Sequence, residues 1–332
     1  MKIFYAVQAT GNGHIARAME LLPYLQQYGT VDIFLSGNNS SLQTGLPVRY
    51  KSRGVSLYYT QSGSLDYLKI MKEFNARRVW KEAKDLPVEK YDCVLVDFES
   101  IAALSCRIKK IPCIGFGHQA SFQSVKAPRP GTKNIAGEWI LKYYAPSTVY
   151  TGLHFKQYDN FIFNPVIKQA ILEAVPVEEG HITIYLPQYN DELLIKHFER
   201  ITDVPFRLFS KTAIRPSSQK NITILPVNNA TFNESVINCN GVITGAGFET
   251  PAEILYLGKK LLCIPIKGQY EQKCNAAALK DFDVTVIDDV KENFTATIIN
   301  WLQHPNPKKL ELTHSTETIV AKVMKQAEEI KG

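Results

Sequence analysis

Residues Val242 to Glu253 read ValIleThrGlyAlaGlyPheGluThrProAlaGlu, and the order of residue types along that stretch decides the fold. A short apolar run gives way to glycines, and a proline and a glutamate precede a second apolar segment. That pattern is a buried strand, a tight turn and the start of a helix, the repeating joint of an α/β protein with a parallel sheet. The spacing places Thr250 as N-cap, Pro251 as first helical residue and Glu253 as third, a capping box with the favoured proline; Gly258 then ends the helix. Backbone N–H groups at such a turn are oriented for an anion, most simply a diphosphate. A tight turn with nothing bound fits the same spacing, and the Glu253 carboxylate has a purely structural role available in the capping box.

Outward from this joint, strand-length apolar runs alternate with segments at helical spacing. The first half carries them at Lys2–Val7, Val31–Leu35, Cys93–Val96 and Cys113–Phe116, with shorter ones near Val55–Tyr59 and Phe161–Phe163. The second half carries them at Ile182–Leu186, Phe206–Phe209, Ile222–Leu225, Gly241–Thr244, Leu261–Ile264 and Thr285–Ile287. Residues 165–180 have the composition of a linker, so the expected organisation is a domain over 1–164, a second over 181–314, and a polar amphipathic helix over 315–332 packing back on the first. The helix after the first strand shows Ile15, Ala18, Met19, Leu22 and Leu25 as its apolar side, and Pro23 predicts a kink or an early end.

Composition removes several classes. The 332 residues carry 38 Lys+Arg against 32 Asp+Glu, and 45% are hydrophobic, which excludes disorder. A net charge of +6 without a dense basic stripe argues against nucleic acid. No apolar run approaches the roughly 20 residues of a membrane-spanning helix. The run Ile3–Val7 reads as a buried strand, since no small-residue cleavage site follows it. Six cysteines are scattered without CxxC spacing, so buried, reduced thiols in a cytoplasmic protein are expected.

A second glycine-rich joint, GlyAsnGlyHisIleAlaArg over Gly11–Arg17, follows the first strand directly. Gly11 and Gly13 let the backbone bend and leave room for a ligand, while His14 stands where the helix begins. The positive end of the helix dipole disfavours imidazolium there, leaving a neutral ring able to accept a proton; a cap or a ligand contact is the plainer role. Asp97 ends the strand CysValLeuValAsp on the edge where α/β sheets bind ligands, and it is placed to orient His14. Glu99 competes for that role, and N-capping of the next helix is the structural alternative for both acids.

These two joints, in this order and in two α/β halves, resemble the GT-B glycosyltransferases, especially the macrolide and plant UDP-sugar transferases and the peptidoglycan enzyme that adds N-acetylglucosamine to a lipid carrier. The match runs from Val242 to Asn275: GlyAlaGlyPheGluThrProAlaGlu, then Gly258, Pro265 and GluGlnLysCysAsn. The resemblance implies two Rossmann-like domains facing a cleft, with a nucleoside-diphosphate sugar, UDP-linked by preference, held in the second. By position Glu253 becomes the ribose ligand, and Glu271 and Gln272 the donor-sugar pair. Many plant members have a phosphate-contacting histidine where this chain has Gly245. Diphosphate binding would then fall to backbone N–H groups over Gly245, Ala246, Gly247 and Phe248, with Thr244 or Thr250. Glu271 replaces the commoner aspartate. The N-terminal loop Gly11, Asn12, Gly13, His14 resembles the acceptor side, where the histidine is the general base with an aspartate partner.

The expected reaction is an inverting hexosyl transfer with His14 as base and Asp97 as its orienting acid. No DxD or His-rich spacing marks a metal, and no cofactor is expected. Arg17 and His118 are assigned to the acceptor side; the GlyHisGln around His118 follows a strand and could border the active site, with a structural contact as the equal alternative for His118. Two basic segments of the first half are candidates to meet an anionic lipid-linked or cell-envelope acceptor, or the inner membrane surface. One is a mobile loop over Gln119–Gly137 with Lys126, Arg129 and Lys133, and the other is Leu68–Lys84; a solvated face is the plainer alternative. Two further functions share the architecture: a nucleotide-sugar 2-epimerase and a non-catalytic sugar-nucleotide binder. A dehydrogenase fits poorly, because the first turn lacks GxGxxG and Ser36-Gly37-Asn38 stands where an acidic residue would end the second strand.

Overall fold

In the computed structural model, which describes residues 1–9, 11–37, 45–54 and 75–331, the chain forms two compact units that divide at Lys168/Gln169 and again at Glu311/Leu312. The first unit is built on β1 (Lys2–Gln8), β2 (Thr30–Ser36), β3 (Val48–Ser52), β4 (Cys93–Asp97), β5 (Ile114–Gly117), β6 (Val149–Leu153) and β7 (Ile162–Phe163). They run parallel in the order β3-β2-β1-β4-β5-β6-β7. The order reverses between β1 and β4, and Val7 lies in register with Asp97 there. In open parallel sheets this switch point, at the carboxyl ends of the strands, is where ligands bind.

The central strands are buried on both faces, which explains their continuous apolar runs. Phe4, Ala6, Val94 and Val96 pack against Phe34, Ile101 and Cys106 in a core cluster of this unit. Each Val, Ile or Phe among them contributes about 1.5–3 kcal/mol when fully buried. The unit is completed by the chain's last helix, Thr316–Glu329. Ser315 caps it by accepting from the Thr318 N–H, and it buries Ile319, Val320, Val323, Met324 and Ala327. Thr151 donates to Gln326 at 2.8 Å.

The second unit is built on β8 (Ile182–Tyr185), β9 (Phe206–Ser210), β10 (Ser217–Gln219), β11 (Ile222–Pro226), β12 (Gly241–Thr244), β13 (Lys260–Cys263) and β14 (Thr285–Val286). Its order is β10-β11-β9-β8-β12-β13-β14, parallel except for the antiparallel edge strand β10. Its switch point lies between β8 and β12, and Ile184, Leu208, Ile243 and Leu262 lie in the core around it. Both units are thus α/β with Rossmann-like crossover order.

Three local expectations change. The first helix spans Asn12–Gln26 and passes through Pro23, because its apolar side still has Leu25 to bury. That side is Ile15, Ala18, Leu21 and Leu25 together with Arg17; Met19 and Leu22 are only half-buried. The helix after β12 begins at Glu249, not after Thr250. Phe248, buried and already helical at φ −98°, supplies the carbonyl that accepts from the Ala252 N–H at 3.1 Å. Pro251 becomes the third helical residue, where its missing N–H is still one of the four without an intrahelical partner. Gly258 ends this helix in the left-handed region at φ 70°. The expected strand at Val55–Tyr59 lies outside the described residues.

Candidate active site

Asp97 is the centre of the first unit's site, and every contact around it follows from the β1–β4 switch. Its carboxylate is fully buried. Arg17, also buried, donates through Nη2 to Oδ1 at 2.7 Å and to Oδ2 at 2.9 Å, and through Nε to Oδ2 at 3.1 Å. His14 Nδ1 lies 2.8 Å from Oδ1, and the Tyr5 hydroxyl donates to Oδ2 at 3.4 Å. His14 and Arg17 are three residues apart, so one helix face delivers both to the same carboxylate. Burial alone would push the Asp97 carboxyl up, but the Arg17 charge, His14 and their hydrogen bonds outweigh it and hold the group at about 2. It is a fixed anion.

The His14 side chain keeps 14% exposure while Asp97 keeps none, so the ring is anchored through one nitrogen and reachable at the other edge. Gln119 Nε2 stands 3.4 Å from that second nitrogen, His14 Nε2. Gly117, at φ 144°, clears the space above the pair: a Cβ there would meet Asp97 Oδ1 at 2.7 Å and Arg17 Nη2 at 3.1 Å. A small hollow lined by Asp97, Phe98, Gly117, Gln119 and Tyr150 opens beside the carboxylate.

The chain leaves Asp97 through Phe98, a non-glycine residue at φ 51° whose ring packs on Tyr144 at 4.9 Å between centroids. Such a conformation costs of order 1–3 kcal/mol and is tolerated where surrounding contacts dictate it. The turn sends the next acid elsewhere. Glu99 caps the helix Ser100–Lys109, accepting from the N–H groups of Ile101 at 3.0 Å and Ala102 at 2.6 Å. Burial raises its carboxyl, against the pull of those two N–H groups. His118 is turned from His14: its Nδ1 faces the Leu153 carbonyl at 2.9 Å, and its ring packs on Phe122 and His154.

In the second unit, the turn after β12 is tied to the helix Tyr270–Leu279 by side chains. Asn275 Nδ2 donates to the Ala246 carbonyl at 3.1 Å. Gln272 Oε1 accepts from the Ile266 N–H at 2.9 Å and lies 3.4 Å from where a Cβ on Gly245 would stand. Gly245 and Ala246 therefore adjoin Gln272 and Asn275 at the carboxyl edge of β12 and β13, and Glu271 stands in the first turn of the same helix. Gly247 faces open space: an added Cβ would meet nothing within 4 Å. Thr244 and Glu253 are buried, while Thr250 is half-buried in the first helical turn. The N-cap residue, Phe248, makes no side-chain capping bond to that helix.

The model of a family described as glycosyl transferase family 1 matches residues 1–304. The chain belongs to that family. An uncharacterized glycosyltransferase of Methanosarcina mazei is 24% identical over 324 residues, covering 85% of this chain and 84% of that one. Among solved structures, the fold is similar to a UDP-glucosyltransferase from Polygonum tinctorium (TM-score 0.61, 15% identity, 99% and 93% of the two chains). It is also similar to Arabidopsis thaliana UGT89C1 complexed with UDP (0.59, 13%, 99% and 94%) and to a UDP-N-acetylglucosamine 2-epimerase (0.56, 14%, 100% and 98%). These neighbours share the two-domain GT-B fold, and the protein is a glycosyltransferase of that architecture.

Two residues stand in this candidate site in roles that the sequence does not specify. Arg17, expected on the acceptor side, also bonds Asp97, and its three-residue spacing from His14 is the signal that both meet that carboxylate. Gln119, whose GlyHisGln is expected to border the site, stands against His14 Nε2. Part of the basic segments is used in pairs within the first unit. Arg129 bonds Glu138 at 2.7 Å and the Phe122 carbonyl at 2.9 Å, which ties down the stretch expected to be mobile, and Lys126 pairs with Asp159 at 3.2 Å. Arg78 pairs with Glu82, whereas Lys69 and Lys72 lie outside the described residues. Among the described residues no group of three His, Cys, Asp or Glu could hold a metal ion, and no helix is long and apolar enough to cross a membrane. All six cysteines are buried and unbridged.

Proposed function

We propose that this glycosyltransferase moves a hexosyl group from a UDP-linked sugar to an acceptor hydroxyl with inversion, using His14 as general base and Asp97 as its orienting acid. The observation that carries the reading is the 2.8 Å contact between His14 Nδ1 and the buried Asp97 anion, which leaves the ring's other edge reachable. His14 Nε2 takes the proton of the acceptor hydroxyl as that oxygen attacks the anomeric carbon from the face opposite the leaving group. The new carbon–oxygen bond forms as the bond to the diphosphate breaks, and the nucleoside diphosphate departs with the bonding pair.

The donor is assigned to the second unit. First-turn N–H groups of the helix Glu249–Leu257 and the backbone over Gly245–Phe248 receive the diphosphate, with Thr244 and Thr250 beside it, and the helix dipole offsets its charge without a metal. Glu253 is the proposed ribose ligand, and Glu271 with Gln272 the donor-sugar pair. An acceptor carrying negative charge, lipid-linked or part of an envelope glycan at the inner face of the membrane, fits the exposed Lys133 and Lys142 of the first unit.

Thermal-shift screening of UDP-, TDP- and GDP-sugars followed by donor turnover tests the reading. A UDP-sugar is expected to raise the melting temperature, and His14→Ala to lose at least about 10²- to 10⁴-fold in transfer with nucleotide affinity unchanged. Full activity in His14→Ala removes the base assignment. Conversion of the donor to its epimer without acceptor would give the protein the activity named for its epimerase neighbour.

A further inference from the structure

The crowding at His14 Nδ1 is not explained by a His–Asp pair alone. Two groups compete for that nitrogen: Asp97 Oδ1 at 2.8 Å and Arg17 Nη2 at 3.0 Å. They demand opposite tautomers. A carboxylate only accepts, so contact with Asp97 requires the proton on Nδ1 and leaves a lone pair on Nε2. A guanidinium only donates, so a bond from Arg17 requires an unprotonated Nδ1 and puts the proton on Nε2, where the ring cannot act as a base. Which group wins decides whether His14 is competent.

The remaining contacts of Arg17 settle the competition. Nη2 donates to both carboxylate oxygens, at 2.7 and 2.9 Å, and Nε adds a third bond at 3.1 Å. With both groups buried and the geometry forked, these charge-assisted bonds are stronger than any bond from Nη2 to a neutral ring nitrogen. The guanidinium is thereby committed to Asp97, and Asp97 Oδ1 is held as a full anion facing Nδ1–H. Gln119 presents its amide nitrogen at 3.4 Å from Nε2, the partner suited to a lone pair there. Also facing this corner are the Tyr5 hydroxyl, which burial and Asp97 keep protonated, and the backbone of Gly117.

We propose that Arg17 is a positioning residue of the transfer reaction, fixing His14 in the Nδ1–H tautomer by holding the Asp97 carboxylate against Nδ1. This rests on the reading of His14 as the base. It gives a physical reason for a buried arginine three residues after the histidine: without the fork the carboxylate is free to turn from Nδ1, and the ring can take either tautomer.

The test uses the full chain with Arg17→Gln and Arg17→Lys. It records the ¹⁵N shifts of His14, and kcat and the donor KM for transfer from a UDP-sugar. In Arg17→Gln the ¹⁵N shifts are expected to report a mixture of tautomers, with kcat falling about 10- to 100-fold and donor KM unchanged. In Arg17→Lys the charge survives without the fork, so the shifts again report a mixture and kcat is reduced. An unchanged Nδ1–H tautomer in Arg17→Gln overturns the proposal, as does a loss confined to donor KM. Should Arg17→Gln fail to fold by circular dichroism, Arg17→Lys decides: wild-type kcat and a single Nδ1–H tautomer would overturn it. His14→Ala, run alongside, separates the two readings. An inactive His14→Ala with an overturning Arg17 result leaves the base assignment standing, whereas a fully active His14→Ala removes both.

Discussion

At the carboxyl end of β1 the following helix brings a histidine and an arginine onto a buried carboxylate, whereas at the carboxyl end of β12 the following helix brings no cation at all. Both turns occupy the switch point of a parallel sheet, and both begin with glycines. The first converts that location into a set of directed side chains, tightly packed under Gly117. The second presents backbone N–H groups, a glycine facing open space at Gly247, and the Asn275 carboxamide bonded to the Ala246 carbonyl of the turn. One topological position is therefore built in two ways, and the proposed function gives the first, a buried titratable pair, the proton transfer and the second, a helix end, the anion. The side chains on the first helical turn select between them.

The comparison breaks most severely at Asp97. Asp97→Asn removes the anion that fixes His14 and leaves Arg17 buried without a counter-charge. We expect transfer to fall about 10³- to 10⁴-fold, with a loss of roughly 3–5 kcal/mol in unfolding free energy. Steady-state turnover and urea unfolding of the same preparation check both. A variant that keeps wild-type turnover would mean the first turn does not work through its carboxylate.

Gly117→Ala is the next largest. Its Cβ would sit 2.7 Å from Asp97 Oδ1 at a backbone φ of 144°, so both strain and displacement of the carboxylate follow. About 1–3 kcal/mol of destabilisation is expected, accompanied by a lower kcat. Unchanged activity in this variant would show that the site tolerates a moved Asp97.

Asp97 also makes the first unit acid-sensitive. Its carboxyl is held at about 2, below its ordinary value, so the pair stabilises the fold at pH above the unfolded-state value near 4. That contribution, on the order of 2 kcal/mol, is lost as pH falls through the folded value, across a window from about pH 4 to pH 2. Unfolding midpoints over that range, compared with Asp97→Asn, isolate it: the variant should show a shallower dependence.

Much of this was legible in the sequence, and the exceptions have physical causes. The central strands appear as continuous apolar runs because parallel sheets are buried on both faces, so β1, β4, β8 and β12 are found within a residue or two. Two of the edge strands carry no such signal. β3, with its alternating half-exposed ValArgTyrLysSer, and β10, a fully exposed SerSerGln, are invisible to it. The capping box after β12 failed because a buried Phe248, a long-range packing choice, set the start of the helix. His14 and Asp97 were legible as a pair because each ends or follows a strand. Arg17 was not, because a charged residue on a helix reads as solvent-facing until the carboxylate that buries it is located 80 residues away.

The smallest effect on stability separates the two turns most cleanly. A methyl added at Gly247 meets nothing within 4 Å, and this glycine is not among those at positive φ, so neither packing nor backbone strain requires glycine there. Gly247→Ala should change the unfolding free energy by no more than about 0.5 kcal/mol. If the N–H groups of this turn receive the diphosphate, the methyl occupies the space of close approach, and donor KM should rise several-fold with kcat little changed. Gly117→Ala inverts that pattern, costing stability and kcat while sparing donor KM. Isothermal titration with UDP on both variants makes the contrast quantitative. Equal UDP affinity in Gly247→Ala and the unmodified protein would move the anion away from this turn and leave its glycines without a binding role.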